Sequence, residues 1–295
     1  MIRKKLLLLA AVCLLLSACS QKQDDNSSAS PDNPPALEVT APEAVTQNES
    51  DPSVEVPSEE AVTEEPDLSQ NSAEEEPEAI VPLYHINKAY NVVPNDEGTE
   101  KKVVLLTFDD GPKEKEMIDS LIDTLDKHKA KAIFFVNGYR VKANPDLLKL
   151  IHDRGQIVGN HSWDHIDLKK ESESSARKQV EDVQTIVEET IGERPRFFRP
   201  PFGSGNDQLH QIVQDNGMIY MTWSNGSLDW DSKNKNKPEA VIQNVLDQLH
   251  AGSNILMHEL PWTVEALDEL LTRLEEKGYS FVDPRTIAAA PEQSE

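Results

Sequence analysis

The stretch Val103-Val-Leu-Leu-Thr-Phe-Asp-Asp-Gly-Pro112 decides the fold of this 295-residue chain. Its first six residues form a short, largely apolar run that predicts a buried β-strand, and Gly111-Pro112 ends that strand in a turn. Neighbouring side chains on a strand face opposite sides, but a turning chain can bring Asp109 and Asp110 into one cavity. The pair could then divide into a metal ligand and a general base, whereas Asp-Asp-Gly-Pro alone is equally consistent with a plain turn.

Apolar runs and segments with helical spacing alternate along the rest of the chain. Further strands are predicted at 132–136, 156–159, 196–198, 218–223, 254–257 and 280–282. Helices are predicted at 114–129, 145–154, 174–191, 207–216, 238–249 and 263–277. Repeated βα units imply right-handed crossovers and a parallel sheet. Seven strands favour the α/β class with a distorted (β/α)7-type barrel, and the alternative is an open, doubly wound sheet with an edge strand.

Two histidines four residues apart, His161 and His165, follow the third predicted strand. This spacing directs both rings the same way on a helical turn or in a tight loop. Two imidazoles and one carboxylate leave a position open on Zn²⁺, which is typical of a catalytic rather than a structural site. Parallel α/β folds build their sites at the carboxyl ends of strands, so we expect the pair to meet Asp109 and Asp110.

Three more polar groups follow later strands, and each also has an ordinary structural interpretation. Arg199 either caps the sheet in an ion pair or orients a carboxylate with its rigid fork of donors. His258 is either a satisfied rim residue or a general acid. Asp229-Trp230 is either a turn with a buried ring, or a carboxylate that pairs with His258 beside a ring that walls the pocket. His258 lies at the expected face of the barrel, which favours the general acid, and Asp229 is assigned to pair with it.

The first 19 residues predict a signal peptide. A basic start, Met1-Ile-Arg-Lys-Lys5, precedes an apolar run that is short for a bilayer span, which takes about 20 residues. Leu16-Ser-Ala-Cys19 closes this segment and resembles a bacterial lipobox, in which Cys19 carries the lipid. The alternative is an ordinary cleaved signal with an incidental cysteine. Cys13 is the only other cysteine, so no disulfide is expected after the signal.

Charge is distributed unevenly along the chain. Residues 20–79 contain 17 acidic residues, one lysine and no aromatic residue. Such a segment buries too little apolar area to offset the entropy of ordering, so it predicts a disordered acidic tether, or a spacer with no further role. Residues 80–295 form the predicted folded domain. With a formal net charge of −24, neither part offers the basic surface that nucleic acid requires, and no protein partner is predicted.

Five motifs occur in a fixed order, which makes the pattern specific. They occupy residues 107–112, 161–165, 199–202, 227–230 and 256–258. With them the chain resembles the polysaccharide deacetylases of carbohydrate esterase family 4, the NodB-homology domain. The resemblance covers about residues 83–290. It implies a distorted (β/α) barrel that removes N-acetyl groups from an amino sugar.

The resemblance also implies a role for each catalytic and metal-binding residue. One divalent metal, with Zn²⁺ favoured and Co²⁺ or Mn²⁺ as alternatives, would be bound by Asp110, His161 and His165. Asp109 would be the base and would be held by Arg199. His258 would be the acid that protonates the departing amine, tuned by Asp229.

Pocket residues are implied in the same way. The backbone N–H of Phe202 would help to form the oxyanion hole, and Trp230 and Leu256 would line the acetyl pocket. Two positions depart from the common pattern. Gly226 stands where an acid often precedes the serine, and Glu259 stands where an aspartate often follows the histidine. These departures bear on substrate contacts more than on activity.

The expected location narrows the substrate. A lipid-anchored enzyme outside the cytoplasm, on the membrane at the bacterial cell surface, would meet peptidoglycan or a related N-acetylated glycan. N-acetylglucosamine is the first choice and N-acetylmuramic acid the second, while chitooligosaccharide, xylan or an exopolysaccharide stay open. One rival is a glycan-binding lipoprotein with an inactive barrel, which predicts the loss of a catalytic residue. Another is a metal-dependent peptide amidase, which leaves the motifs at 199–202 and 227–230 unexplained.

Overall fold

The computed structural model of the protein describes residues 80–289. The predicted signal peptide at 1–19 with Cys19 and the predicted acidic tether at 20–79 lie outside the described residues, as do residues 290–295. Between residues 80 and 289, none of the helices is both long and apolar enough to cross a membrane.

Ten strands form two sheets in this part of the chain. In chain order, β1–β10 are Tyr84–Ile86, Val92–Pro94, Val103–Gly111, Ala132–Val136, Ile157–Asn160, Phe197–Phe198, Ile219–Tyr220, Asn225–Gly226, Ser253–His258 and Ser280–Phe281. β1 and β2 form an antiparallel hairpin, and the other eight strands form one sheet in which every pairing is parallel. Its order is β7-β6-β5-β4-β3-β9-β8, with β10 paired to the start of β3. The predicted α/β class with parallel strands is confirmed.

Helices connect the consecutive strands of this sheet, except that none lies between β7 and β8. In chain order, α1–α7 are Lys115–Lys127, Gly138–Ala143, Pro145–Asp153, Glu173–Ile191, Asp207–Asp215, Pro238–Asp247 and Pro261–Glu276. α3 begins as predicted, with Asn144 as its N-cap residue and Pro145 in its first turn. α4 is capped by Ser172 and ends at Gly192, which adopts a φ of 79°. α2 was not predicted, because six residues are too few to establish a helical period.

The sheet curls into a distorted barrel that is closed by the chain itself. β7 and β8 lie at opposite ends of the strand order, yet only residues 221–224 separate them. In this segment Met221 N–H donates to Phe198 O on β6 (3.0 Å), and Ser224 N–H donates to Asn254 O on β9 (3.1 Å). The prediction of one continuous strand at 218–223 is therefore wrong, because the chain leaves β6 and joins β9 at this point. The open, doubly wound alternative does not fit this strand order.

The barrel interior changes from apolar to polar along β3. Val103 and Leu105 are buried with side chains of neighbouring strands and of the hairpin, in a cluster that contains no residue of α1–α7. Val104, Leu106 and Phe108 belong instead to the cluster that packs the helices against the sheet. Because strand side chains alternate, Thr107 and Asp109 continue the inner face. The carboxyl end of β3 thus brings polar groups into the upper half of the barrel.

The hairpin closes the lower end of the barrel. Tyr84 of β1 and Val92 of β2 are buried in the same cluster as Val103, the first residue of β3. Backbone hydrogen bonds from Leu83 N–H to Thr286 O (2.8 Å) and from Ala288 N–H to Tyr84 O (2.7 Å) attach β1 to the chain after β10. The sequence did not predict these strands, because three-residue strands leave no readable alternation. The candidate functional residues therefore lie at the opposite end of the barrel, at the carboxyl ends of the strands.

Candidate active site

An irregularity at the end of β3 places both predicted carboxylates at one site. The pairing of β3 with β4 shifts register between Phe108 and Gly111, and Asp110 adopts a left-handed φ of 66°. A bulge of this kind re-aims a side chain that regular alternation would send to the other face. As a result, Asp109 Oδ2 and Asp110 Oδ1 lie 3.6 Å and 3.5 Å from the same atom, His161 Nε2. The expectation that the turn would bring the pair together agrees with this geometry.

Asp110, His161 and His165 form a cluster that can hold a metal ion. One ligand atom from each residue lies within 4.8 Å of the others, and His165 Nε2 is 3.2 Å from Asp110 Oδ1. His161 follows β5, so the carboxyl ends of β3 and β5 meet here across β4. The structure therefore brings together the three residues that the sequence predicted as ligands.

The chemistry of these donors fits a divalent cation. Asp110 Oδ1 is buried, and no group between residues 80 and 289 forms a hydrogen bond with it. His161 Nδ1 is 2.7 Å from the carbonyl oxygen of Arg199, which can only accept, so Nδ1 carries the proton and Nε2 offers its lone pair. Burial lowers the pKa of His161, against the opposing charge of Asp109, and so favours the neutral ring that binds metals. An unsatisfied carboxylate oxygen facing imidazole nitrogens is a typical donor set for Zn²⁺.

Arg199 holds Asp109 from inside the barrel. The guanidinium is fully buried, and its Nη1 donates to Asp109 Oδ1 and to Thr107 Oγ1, both at 2.7 Å. Its Nη2 donates to Thr222 O (2.9 Å) and to Asn254 Oδ1 (3.2 Å). The pairing with Asp109 agrees with the sequence expectation. The bonds to Thr222 and Asn254 were not predicted, because they link segments distant in sequence at the point where the barrel closes.

Buried Asp229 and partly buried His258 form a second pair beside the first. His258 Nδ1–H donates to Asp229 Oδ1 (2.8 Å), and the backbone N–H of His258 donates to Oδ2 (2.7 Å). Thr263 Oγ1 also donates to Oδ2 at 2.7 Å. Burial lowers the pKa of His258, but the charge and hydrogen bond of Asp229 outweigh burial, so the pKa is raised above its ordinary value. His258 is the register partner of Asp109 on the neighbouring strand β9, so the two pairs lie side by side at the carboxyl ends of β3 and β9.

Aromatic side chains surround the cleft. Phe202 is 66% exposed, adopts a φ of 60°, and its ring lies 4.8 Å from that of His165. Trp230 is 43% exposed, with its ring 5.3 Å from that of His258. Leu256 is buried on β9. The sequence missed Trp223, whose ring is 6.1 Å from that of Trp230, because an aromatic residue within a predicted strand resembles a core residue.

The similarity of this chain to known proteins agrees with the geometry of the site. Residues 96–221 match a family model described as polysaccharide deacetylase. A peptidoglycan-N-acetylglucosamine deacetylase of Bacillus cereus is 38% identical over a region that covers 62% of this chain and 70% of that protein. The chain belongs to the polysaccharide deacetylase family.

Other members of the polysaccharide deacetylase family differ from this chain in length, and one of them is a pseudoenzyme. The peptidoglycan-N-acetylmuramic acid deacetylase PdaC of Bacillus subtilis is 35% identical over 69% of this chain, but the chain spans less than half of PdaC, 43% of its length. The structure of a family 4 pseudoenzyme from Bacillus anthracis has 35% identity and a TM-score of 0.59, covering 62% of this chain and 63% of that one. Membership in the family therefore does not establish catalysis by itself, and the side chains of the cleft have to support it.

Proposed function

We propose that this protein hydrolyses N-acetyl groups on the amino sugars of peptidoglycan, which releases acetate and leaves a free amine. The observation that carries the proposal is that two hydrogen-bonded pairs, Asp109–Arg199 and Asp229–His258, lie next to each other beside the candidate metal site. Amide hydrolysis needs a base for water and an acid for the departing nitrogen, and the cleft offers one group for each. The names of the Bacillus cereus and Bacillus subtilis relatives support peptidoglycan as the polymer.

A divalent cation would be held by Asp110, His161 and His165. Zn²⁺ is our choice because two imidazoles and one carboxylate suit it, and Co²⁺ or Mn²⁺ are the alternatives. When bound there, such a cation supplies Lewis-acid polarisation of the acetamide carbonyl and a more acidic water.

Asp109 is proposed as the base that accepts a proton from the attacking water. Arg199 occupies Asp109 Oδ1, which leaves Oδ2 facing the cleft 3.6 Å from His161 Nε2. The backbone N–H of Phe202, in its left-handed conformation, is proposed to donate to the developing oxyanion. Trp230 and Leu256 would enclose the acetyl methyl group.

His258 is proposed as the acid that protonates the departing amine. Its Nδ1–H is fixed on Asp229, so Nε2 is the atom that can deliver a proton to the cleft. Because an amide nitrogen is a poor leaving group without a proton, such a group contributes about 10²–10⁴-fold to the rate. The products are acetate and an amino sugar with a free amine.

Anchoring at the membrane is a further part of the proposal. The segment 1–19 supports a lipoprotein signal peptide with lipid on Cys19, which would hold the protein outside the cytoplasm at the bacterial cell surface. There it would meet N-acetylglucosamine, our first choice, and N-acetylmuramic acid. A glycan-binding lipoprotein without activity is the rival, and the pseudoenzyme relative is the reason to test it.

Acetate release by the full chain tests the proposed function. The protein is stripped with a chelator, reloaded with Zn²⁺ or Co²⁺, and supplied separately with peptidoglycan and with chitooligosaccharide. We expect release that disappears on stripping and returns on reloading. Bound metal should raise the thermal unfolding midpoint, because a ligand of the folded state stabilises it. If neither glycan releases acetate although metal raises the unfolding midpoint, the result contradicts the proposal. It would favour the glycan-binding protein instead.

Asp229→Asn is expected to move the alkaline limb of the pH profile of kcat/KM to lower pH. The charges that act on His258 are those of Asp229, Asp109 and Asp110, and Asp229 contributes most to raising its pKa. Removing that charge lowers the pKa of His258, so the protonated acid is lost at a lower pH. Thr263→Val is the control, since it removes a hydrogen bond to Asp229 without removing charge. An alkaline limb that stays in place in Asp229→Asn would argue against His258 as the acid.

A further inference from the structure

Arg140 on α2 is a cation without an anionic partner. Among residues 80–289 its guanidinium forms no salt bridge, and its Nε is buried without a hydrogen-bond partner. Arg140 Cζ lies 5.0 Å from the centroid of the ring of Tyr139. Tyr139 is itself 40% exposed. Burying part of a guanidinium without an acceptor costs free energy, so this arrangement needs a reason.

Lys113 is a second partly buried cation that forms no salt bridge with the residues that the structure describes. Its Nζ donates to the backbone oxygen of Glu259 at 3.2 Å, and it forms no salt bridge with a described carboxylate. Burial lowers the pKa of Lys113, which reflects the cost of a charge removed from water. The charges of Asp110 and Glu259 act in the opposite direction, and the charge of Arg140, which repels Lys113, lowers the pKa further.

Glu259 compensates these charges only in part. Its Oε2 accepts the backbone N–H of Lys113 at 2.8 Å, and its Oε1 is buried without a partner. Burial raises the pKa of Glu259 to about 7, so near neutral pH the carboxyl group is protonated much of the time. The side chain is packed tightly, because a Cβ on Gly111 would lie 2.0 Å from Oε1. Glu259 therefore has little freedom to turn towards the cations.

Both cations lie close to the segments that carry the candidate metal ligands: Lys113 follows β3, and α2 with Arg140 is hydrogen-bonded to the ends of β3 and β5. Asn137 N–H donates to Gly111 O (2.9 Å), next to the end of β3. Gly138 N–H donates to Ser162 O (3.2 Å), in the loop after β5. Arg140 follows two residues later, and the second cation is two residues beyond Gly111. The pair thus forms the rim of the cleft on the side of the metal site.

We infer that Lys113 and Arg140 form a carboxylate-binding subsite for an acidic group of the glycan. The inference rests on the proposed function and narrows its substrate class. A carboxylate would accept hydrogen bonds from the fork of Arg140 and from the ammonium of Lys113, and it would relieve their repulsion. The exposed ring of Tyr139 offers a surface for the sugar that carries it. An acidic N-acetylated glycan such as peptidoglycan fits this rim, and an uncharged glycan such as chitooligosaccharide leaves it unsatisfied.

The test compares matched glycans with the metal-loaded full chain. Peptidoglycan strands without peptides, which carry a carboxylate on the sugar's ether substituent, are compared with the same strands after reduction of that carboxylate to an alcohol. We expect unmodified protein to prefer the carboxylate form in kcat/KM. Arg140→Gln and Lys113→Gln should each reduce this preference by about tenfold, the effect of a charge-assisted hydrogen bond. Lys142→Gln, at an exposed position of α2, should leave the preference unchanged.

Peptide-bearing strands distinguish the two sources of the carboxylate. If reduction of the sugar's own carboxylate has no effect but peptide-bearing strands are preferred in an Arg140-dependent manner, the bound group belongs to the peptide. A preference that persists in both Arg140→Gln and Lys113→Gln overturns the subsite and leaves the proposed function intact. If unmodified protein releases no acetate, the proposed function fails and calorimetric binding of the two forms decides the subsite. Weaker binding of the carboxylate form to Arg140→Gln supports it, and equal binding overturns it.

Discussion

Asp109→Asn is expected to lower kcat/KM for acetate release by about 10²–10⁴-fold while metal binding persists. The amide keeps the size of the side chain but removes its capacity to take a proton from water. The proposed metal ligands Asp110, His161 and His165 are untouched by this change. Acetate release measures the first effect, and calorimetric titration with Zn²⁺ measures the second.

Asp110→Asn is the matched control, because it makes the same chemical change one residue later. We expect it to weaken metal binding and abolish acetate release together, since Asp110 Oδ1 is the carboxylate atom close to both histidines. The different roles of the two adjacent acids should therefore appear as a difference in metal affinity between the two variants. Retained activity in Asp109→Asn, or equal loss of metal from the two variants, would show that Asp109 is not the base.

The sequence predicted the fold to the extent that local patterns determine it. Seven apolar runs separated by helical segments predicted the parallel sheet, and each corresponds to a strand in the structure. The fifth of these, at 218–223, was predicted too long. Its break occurs where the chain transfers from β6 to β9, which depends on barrel closure rather than on the residues of the segment. Local periodicity cannot report a contact of that range.

The residues of the candidate site were predicted from their chemistry rather than from periodicity. Chemistry requires particular residue types, so Asp109, Asp110, His161 and His165 were visible in the motifs before any geometry was known. Their common orientation depends on the register shift at the end of β3, which alternation alone would not predict. The rim cation Arg140 carried no signal at all, because a charged residue in a loop is ordinary. Arg140 becomes notable only because it forms no salt bridge with any residue between 80 and 289.

Arg199 joins the apolar and polar halves of the barrel. Its Cζ lies 4.3 Å from the ring centroid of Phe135, which belongs to the apolar interior. On its other side it binds Asp109, so that a charge pair is kept almost entirely away from water. A pair of this kind contributes little net stability relative to an apolar substitute, but breaking it leaves an uncompensated buried charge. Catalytic orientation and stability therefore depend on the same guanidinium.

Arg199→Met is expected to lower the free energy of unfolding of the metal-free protein by about 3–5 kcal/mol. Methionine keeps an unbranched apolar side chain but leaves Asp109 buried without its ion-pair partner, and Asn254 Oδ1 without a donor. Arg196→Met is the control, since Arg196 is exposed and donates only to Ile287 O, so its loss should be about 1 kcal/mol. Chemical denaturation of each variant measures the difference.

The double variant Asp109→Asn/Arg199→Met separates lost charge compensation from lost packing. Neutralising Asp109 removes the uncompensated charge, so the double variant should be more stable than Arg199→Met alone. Residues in direct contact are expected to show a coupling free energy of about 0.5–3 kcal/mol, and a buried ion pair should lie at the upper end of that range. Simple addition of the two single effects would mean that Arg199 stabilises the barrel through Thr222 and Asn254 at its closure rather than through Asp109.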